Sequence, residues 1–183
     1  MLEGIDKVMD EIAFDQLQIG VVEDVTGMRR LICSVLRSFG VKERNIFEAD
    51  DGVSGLEMVE TCNPDILITD WTMPNMSGAD LVRILRNPKY PNRTFIPILM
   101  LTANANRYCA SVSQEIGVTE FLVKPFAPEV LKKRLTHMIL NPRSFVNTKD
   151  YFGPEKRKTL PDRAPRKREE LLVESDDREV YAI

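Results

Sequence analysis

The chain has 183 residues, 43% hydrophobic and 29% charged, an ordinary balance for one globular domain with extensions and a sizeable core. A formal net charge of −3 indicates no general affinity for nucleic acid or acidic membranes. The sequence contains no run of about 18 apolar residues, so we predict no membrane-spanning helix. The cysteines Cys33, Cys62 and Cys109 form no C-x-x-C pair, which indicates reduced thiols in a cytoplasmic protein and argues against a disulfide framework or zinc site.

Residues 1–16 are predicted to form a short helical extension. Leu2, Ile5, Met9 and Ile12 recur at gaps of three and four residues, which places them on one stripe of a helix. We expect this stripe to fold onto its own domain. A dimerising stripe is the alternative, although two heptads are too few to predict a coiled coil.

Residues 17–141 alternate short apolar runs with longer helical patterns. The runs lack polar alternation, as strands buried on both faces do, and they predict five strands at Gln18–Val22, Asn45–Ala49, Ile66–Thr69, Ile96–Leu101 and Glu120–Val123. The intervening patterns predict helices at Met28–Phe39, Val53–Glu60, Ala79–Arg86, Tyr108–Ile116 and Pro128–Leu140. This alternation predicts an α/β domain with a parallel sheet covered by helices on both faces.

Residues 142–183 differ in composition from the preceding domain. Prolines and the basic runs Lys156–Lys158 and Arg166–Arg168 are followed by an acidic end, so we predict a mostly extended, irregular tail without a recognised effector domain. Two apolar groups, Tyr151–Phe152 and Leu171–Val173, are the parts expected to dock on the domain or on a partner. We do not expect the basic runs to bind nucleic acid, because they lack a recognised DNA-binding module and an acidic block follows.

Polar side chains stand at the ends of four of the predicted strands. Glu23 and Asp24 follow the first strand, Asp70 the third, Thr102 the fourth and Lys124 the fifth. The carboxyl ends of parallel strands meet at one edge of a sheet, so these side chains are expected to share one crevice. A lone Asp at a strand end is usually a helix cap or turn residue, but five positions in this order are harder to dismiss.

Clustered carboxylates repel one another unless a cation lies between them, and oxygen ligands on a solvated rim suit Mg²⁺. A metal and an ammonium can together hold phosphoryl oxygens while one carboxylate attacks phosphorus, so the crevice predicts a site that forms an aspartyl phosphate.

Four segments resemble the motifs of the receiver domains of two-component response regulators, the CheY-like family. These segments are Ile19–Asp24, Ile66–Gly78, Met100–Ala103 and Phe121–Phe126. The resemblance covers about residues 17–140 and implies a flavodoxin-like, doubly wound (βα)5 fold with the strand order 2-1-3-4-5. Because no effector domain is recognised after residue 141, the resemblance is to a stand-alone receiver.

The resemblance implies a role for each acidic residue of the crevice. Asp70 is implied as the phosphoacceptor. Asp24 and Asp70 are implied to bind Mg²⁺ directly together with the backbone carbonyl of Thr72, and Glu23 to support the metal through water. The Lys124–Pro125 peptide bond is expected to be cis on the same ground.

The resemblance also implies how the phosphoryl group is held and sensed. The hydroxyl of Thr102 and the ammonium of Lys124 are expected to bind phosphoryl oxygens. Thr102 and Phe121 are expected to form the switch, although Phe121 serving only as a core residue is an open alternative. Thr72 and Asn104 are expected to tune the lifetime of the phosphoryl group.

The implied function is that of a cytoplasmic regulator, which catalyses only its own phosphorylation and dephosphorylation. It would accept phosphate from a histidine kinase or a histidine phosphotransfer protein and act on a protein partner through the face of the fourth helix, fifth strand and fifth helix. A homodimer is left open, and neither a membrane nor a nucleic-acid partner is expected.

Two alternatives to this function are open. One is an aspartyl-phosphate hydrolase of the haloacid-dehalogenase type, which needs a second acid where Thr72 stands. The other is a phosphorylation-independent scaffold acting through the tail.

Overall fold

A five-stranded parallel sheet forms the centre of the chain. The structure is a computed structural model that describes residues 12–89, 95–103 and 112–156, together with the backbone of residues 179–181. The sheet has the order β2-β1-β3-β4-β5, which confirms the predicted order. Its strands are β1 (Ile19–Val22), β2 (Ile46–Ala49), β3 (Ile66–Asp70), β4 (Ile98–Thr102) and β5 (Glu120–Val123).

Helices connect these strands. They are α1 (Thr26–Ser38), α2 (Gly52–Cys62), α3 (Gly78–Leu85), α4 (residues 112–115) and α5 (Pro128–Leu140), and single 3₁₀ turns occur at Phe14–Gln16 and Glu43–Asn45. The predicted cap of α3 is confirmed, since the Ser77 side chain accepts a hydrogen bond from the backbone amide of Asp80. In the part of the chain that the structure describes, no helix has the length and hydrophobicity needed to cross a membrane.

Two parts of the predicted helices lie outside the described residues. One is residues 1–11. Of the predicted apolar stripe only Ile12 is therefore described, and it packs against the core. The other is residues 108–111, the start of the predicted fourth helix. Its described part ends at residue 115, one residue before the predicted end, and the turn that follows contains Gly117, whose φ of 89° lies in the left-handed region that favours glycine.

The sheet is buried on both faces, and alternate residues of each strand serve the two sides. Ile68 and Leu99 face a core shared with α1 and α5, whereas Leu67 and Met100 face a core shared with α2 and α3. All residues of β1, β3 and β4 are buried. Burial of both faces explains why these strands carry continuous apolar runs without polar alternation.

The strand β4 begins two residues later than the predicted run Ile96–Leu101. Pro97 lacks a backbone N–H, so it can accept but not donate in a strand ladder. Its carbonyl accepts a hydrogen bond from the amide of Leu67 at 3.0 Å. The proline therefore leads the chain into the sheet without being part of β4.

Beyond α5 the chain forms a hairpin that the sequence patterns did not predict. Strands β6 (Phe145–Thr148) and β7 (Tyr151–Pro154) pair antiparallel, and β8 (Glu179–Tyr181) pairs with the other edge of β6. Phe145 is only 2% exposed, so the hairpin packs on the domain. The Gly-Pro pair at the end of β7 argues against a central strand, so the strand could not be predicted from the sequence pattern. The expected docking of Tyr151–Phe152 is found, since Phe152 packs against Phe95.

Replacing Leu36 with alanine tests the core between α1 and the sheet. Leu36 is fully buried, so Leu36→Ala should lower the free energy of unfolding by about 2–5 kcal/mol through lost burial and a cavity. Leu31 lies on the same helix but is 56% exposed, so Leu31→Ala is the matched control and should change it by less than about 0.5 kcal/mol. Urea denaturation measures both, and equal losses would contradict the described packing.

Candidate functional site

The register of the sheet brings the ends of β3, β4 and β5 to one edge. Asp70 is level with Leu101 of β4, and Thr102 is level with Val123 of β5. Lys124 follows Val123 directly, and its backbone amide donates a hydrogen bond to the carbonyl of Thr102 at 2.7 Å. The side chains of three neighbouring strand ends are therefore held at one edge by backbone pairing alone.

Three carboxylates lie together at this edge, in the carboxylate pocket formed by Glu23, Asp24 and Asp70. One oxygen atom from each lies within 4.8 Å of the others. The side chain of Glu23 is 1% exposed and that of Asp70 is 12% exposed, while Asp24 is half-buried. The sequence prediction that these residues share one crevice is thus met by the geometry.

The ammonium of Lys124 bridges two of these carboxylates. Its Nζ lies 2.6 Å from Glu23 Oε2 and 2.9 Å from Asp70 Oδ1, and the side chain is 16% exposed. Without a cation, two carboxylates this close would repel each other with little water to screen them. Lys124 therefore supplies the positive charge that lets the pocket form.

Burial and charge shift the pKa values of this pair. Burial raises the pKa of the Glu23 carboxyl, and the hydrogen bond from Lys124 only partly opposes that rise. For Lys124, burial acts to lower the pKa, but the hydrogen bonds to Glu23 and Asp70 outweigh it and hold the pKa above its ordinary value. Lys124 consequently stays charged at neutral pH.

Arg29 on α1 fixes the backbone at the end of β1. Its Nη1 donates to the carbonyl of Glu23 at 2.6 Å, and its Nε donates to Glu48 Oε2 at 3.2 Å. The amide of Glu23 donates to the carbonyl of Ala49 at 3.1 Å. Sequence reasoning missed Arg29, because an arginine six residues after an acid matches no local motif.

The loop after Asp70 depends on a glycine. A Cβ atom on Gly78 would lie 1.8 Å from the carbonyl oxygen of Asp70, so no larger residue fits without displacing that backbone. The amide of Gly78 donates to the carbonyl of Trp71 at 3.1 Å. The side-chain amide of Asn75 donates to Asp51 Oδ2 at 2.6 Å, which ties the loop to the start of α2.

The other residues predicted for the site differ in their environments where the structure describes them. Thr102 is 4% exposed at the end of β4, and Phe121 is half-buried against the core shared with α2 and α3. Thr72 is exposed, and Asn104 lies outside the described residues. The Lys124–Pro125 bond is cis, as expected. The tuning roles of Thr72 and Asn104 and the switch of Thr102 and Phe121 stay predictions.

Fold and pocket together define a receiver domain. Residues 19–136 match the family described as the response regulator receiver domain, and the chain belongs to that family. Its members take part in two-component signal transduction as phosphoacceptors, and they are regulatory proteins that work with histidine kinases and downstream targets.

Relatives and solved structures agree with this assignment. The chain is 40% identical over 119 residues to the chemotaxis protein CheY of Pseudomonas aeruginosa, an alignment that covers 65% of this chain and 93% of that protein. It is 36% identical over 127 residues to CheY-3 of Vibrio cholerae, which covers 69% and 95% of the two chains.

Among solved structures, the chemotaxis response regulator CheY4 of Vibrio cholerae aligns with a TM-score of 0.58 at 32% identity and covers 65% of this chain and 95% of that one. A response regulator structure from Chloroflexus aurantiacus, itself described as putative, aligns with a TM-score of 0.63 at 28% identity, covering 68% and 98% of the two chains. The chain is CheY-like, as its sequence motifs predicted.

Adding a methyl group at Gly78 tests the loop that carries Asp70. Gly78→Ala should lower the free energy of unfolding by about 1–3 kcal/mol, because the new Cβ overlaps the carbonyl oxygen of Asp70. Gly27→Ala is the control, since a Cβ there meets nothing within 4 Å and alanine favours a helix. Equal stability of the two variants in urea denaturation would show that the loop is not so tightly packed.

Removing the ammonium of Lys124 should make stability depend on pH. In Lys124→Met the buried Glu23 loses its cation, so its pKa rises further above the ordinary value of 4.5. The native state then keeps a proton that the unfolded state releases, and stability falls relative to the parent as pH rises above 4.5. The loss should reach on the order of 3 kcal/mol near neutral pH.

Thermal unfolding in EDTA between acidic and neutral pH measures this effect. Lys42→Met is the matched control, because the ion pair of Lys42 with Asp15 at 3.0 Å is about half-exposed and worth little. A penalty for Lys124→Met that is constant across the pH range would contradict the described bridge.

Proposed function

We propose that Asp70 is the residue that accepts the phosphoryl group. The observation that carries this proposal is the contact of one ammonium, Lys124 Nζ, with both Glu23 Oε2 at 2.6 Å and Asp70 Oδ1 at 2.9 Å. A cation held among carboxylates can neutralise the charge of a phosphoryl group as it transfers. An oxygen of Asp70 forms a bond to phosphorus while the bond from phosphorus to the donor nitrogen of a phosphohistidine breaks.

The donor set of the carboxylate pocket fits Mg²⁺. One oxygen each from Glu23, Asp24 and Asp70 lies within 4.8 Å of the others, and carboxylate oxygens near solvent are ligands that this ion prefers. Asp24 and Asp70 would hold the ion directly with the backbone carbonyl of Thr72, and Glu23 would support it through water. When bound, Mg²⁺ supplies positive charge beside the phosphoryl oxygens.

Lys124 and Thr102 hold the transferred group on its other sides. The ammonium of Lys124 exchanges part of its contact with Asp70 for a phosphoryl oxygen, and the hydroxyl of Thr102 turns towards another. This turn leaves space that the ring of Phe121 can enter, which biases the face formed by α4, β5 and α5. A bias of a few kcal/mol is enough to shift such a two-state equilibrium strongly. Thr72 and Asn104 control the access of water to phosphorus.

The chain acts in the cytoplasm as a phosphoacceptor receiver. Its donor is a histidine kinase or a histidine phosphotransfer protein, and its output is contact with a protein partner or the removal of phosphate from a relay. The family match at residues 19–136 supports this role. The only catalysis is its own phosphorylation and dephosphorylation.

Asp70→Asn should abolish labelling of the chain by acetyl phosphate in the presence of Mg²⁺, because an amide oxygen is a poor nucleophile and a weaker metal ligand. Radiolabelled acetyl phosphate or intact mass measures the aspartyl phosphate directly. Asp80→Asn is the control, because the carboxylate of Asp80 is exposed on α3 and pairs with Arg83 at 2.8 Å. That variant should be labelled like the parent.

Undiminished labelling of Asp70→Asn would refute the assignment of the phosphoacceptor. Rapid multiple turnover of a generic phosphate ester by the parent protein would instead favour a hydrolase. A pull-down with beryllofluoride and Mg²⁺ against the apo form identifies the output partner. Partner binding that changes neither with beryllofluoride nor with the Asp70 substitution would favour a phosphorylation-independent scaffold.

A further inference from the structure

The hairpin of β6 and β7 sits at the end of the sheet opposite the carboxylate pocket. The ring of Phe145 lies edge-on to Phe95, with centroids 5.2 Å apart, and Phe152 closes the cluster at 5.6 Å from Phe95. Phe95 comes shortly before β4, whereas Thr102 of the pocket is the last residue of β4. The two sites are therefore connected through the length of the strands.

A buried arginine links the hairpin to the receiver domain. Arg86 follows α3 and is 5% exposed. Its Nε donates to the carbonyl of Gly117 at 2.8 Å, and its Nη2 donates to the carbonyl of Ile96 at 2.8 Å. Its guanidinium carbon lies 5.0 Å from the centre of the Phe145 ring. One side chain thus joins α3, the start of β4, the turn after α4 and the hairpin.

The hairpin also contacts the turn between α4 and β5 directly. A Cβ atom on Gly153 would lie 3.1 Å from the Cα atom of Gly117, so the two backbones are in close contact. Arg143, just before the hairpin, donates from Nη1 to the carbonyl of Thr119 at 3.0 Å. Residues 117–119 lead straight into β5, and Lys124 follows the end of β5.

We propose that the hairpin is docked on residues 117–119 in a way that depends on occupancy of the carboxylate pocket, so that the hairpin carries the signal out of the receiver. This inference rests on the proposed function. A phosphoryl group gives Lys124 a new partner, and a packed strand transmits a small displacement along its length rather than absorbing it. Occupancy of the carboxylate pocket at the end of β5 would then change how the hairpin docks at the start of the same strand.

Coupling between two sites is reciprocal, which makes the proposal measurable from both ends. Binding of beryllofluoride with Mg²⁺ to the full chain should change amide hydrogen exchange within residues 145–154 by about fivefold or more. Loosening the hairpin should in turn change the apparent affinity for beryllofluoride, read from Trp71 fluorescence, by a similar factor. A residue that only stabilises the fold would leave that affinity unchanged.

Two variants loosen the hairpin in different ways. Phe145→Ala empties the aromatic cluster, and Gly153→Ala adds a Cβ atom 2.7 Å from Tyr151 Oη and close to Gly117, so the second serves if the first fails to fold. Phe47→Ala is the matched control, because Phe47 is a half-buried phenylalanine on β2, at the far edge of the sheet from β5. The control should bind beryllofluoride like the parent.

The outcomes separate this inference from the function on which it rests. Binding of beryllofluoride with unchanged exchange in the hairpin, and with parental affinity in both hairpin variants, would overturn the inference alone. Failure of the parent protein to bind beryllofluoride would overturn the proposed function and this inference together. A parallel change in exchange and affinity supports the coupling.

Discussion

The contact between Lys124 and the two carboxylates of Glu23 and Asp70 is what allows an acidic pocket to exist at the edge of this sheet. Glu23 is almost fully buried, and burial disfavours its charged form. The ammonium at 2.6 Å and 2.9 Å offsets part of that cost and holds the two side chains in one geometry. Under the function proposed above, the pocket takes up a phosphoryl group, whose added negative charge Lys124 and Mg²⁺ would neutralise.

Backbone contacts place the groups that this ion pair joins. The strand register sets Asp70 and Thr102 at one edge, Arg29 holds the carbonyl of Glu23, and Gly78 leaves room for the carbonyl of Asp70. These constraints come from rigid elements or from loops tied to them. If Asp70 accepts the phosphoryl group as proposed, a pocket built in this way needs little rearrangement to bind it, which favours catalysis by positioning.

Among the described residues, the hairpin lies in a segment that the family match does not cover. The match to the receiver family ends at residue 136, and the hairpin begins at Phe145. The hairpin nevertheless shares the buried Arg86 with the receiver and closes over Phe95. Under the coupling proposed above, a segment that packs at the start of β5 would give this receiver its own route of output, since Lys124 follows the end of β5.

The sequence alone determined the parallel α/β fold and the convergence of Glu23, Asp24, Asp70 and Lys124, because continuous apolar runs and strand-end residues are local patterns that topology converts into one edge. Contacts between distant segments, which no periodicity encodes, became visible only in the folded chain. The hydrogen bond from Arg29 to the carbonyl of Glu23 is one such contact, and the packing of Phe145 of the hairpin against Arg86 is another. Their physical basis is the pairing of buried polar groups, which depends on which surfaces meet once the chain has folded.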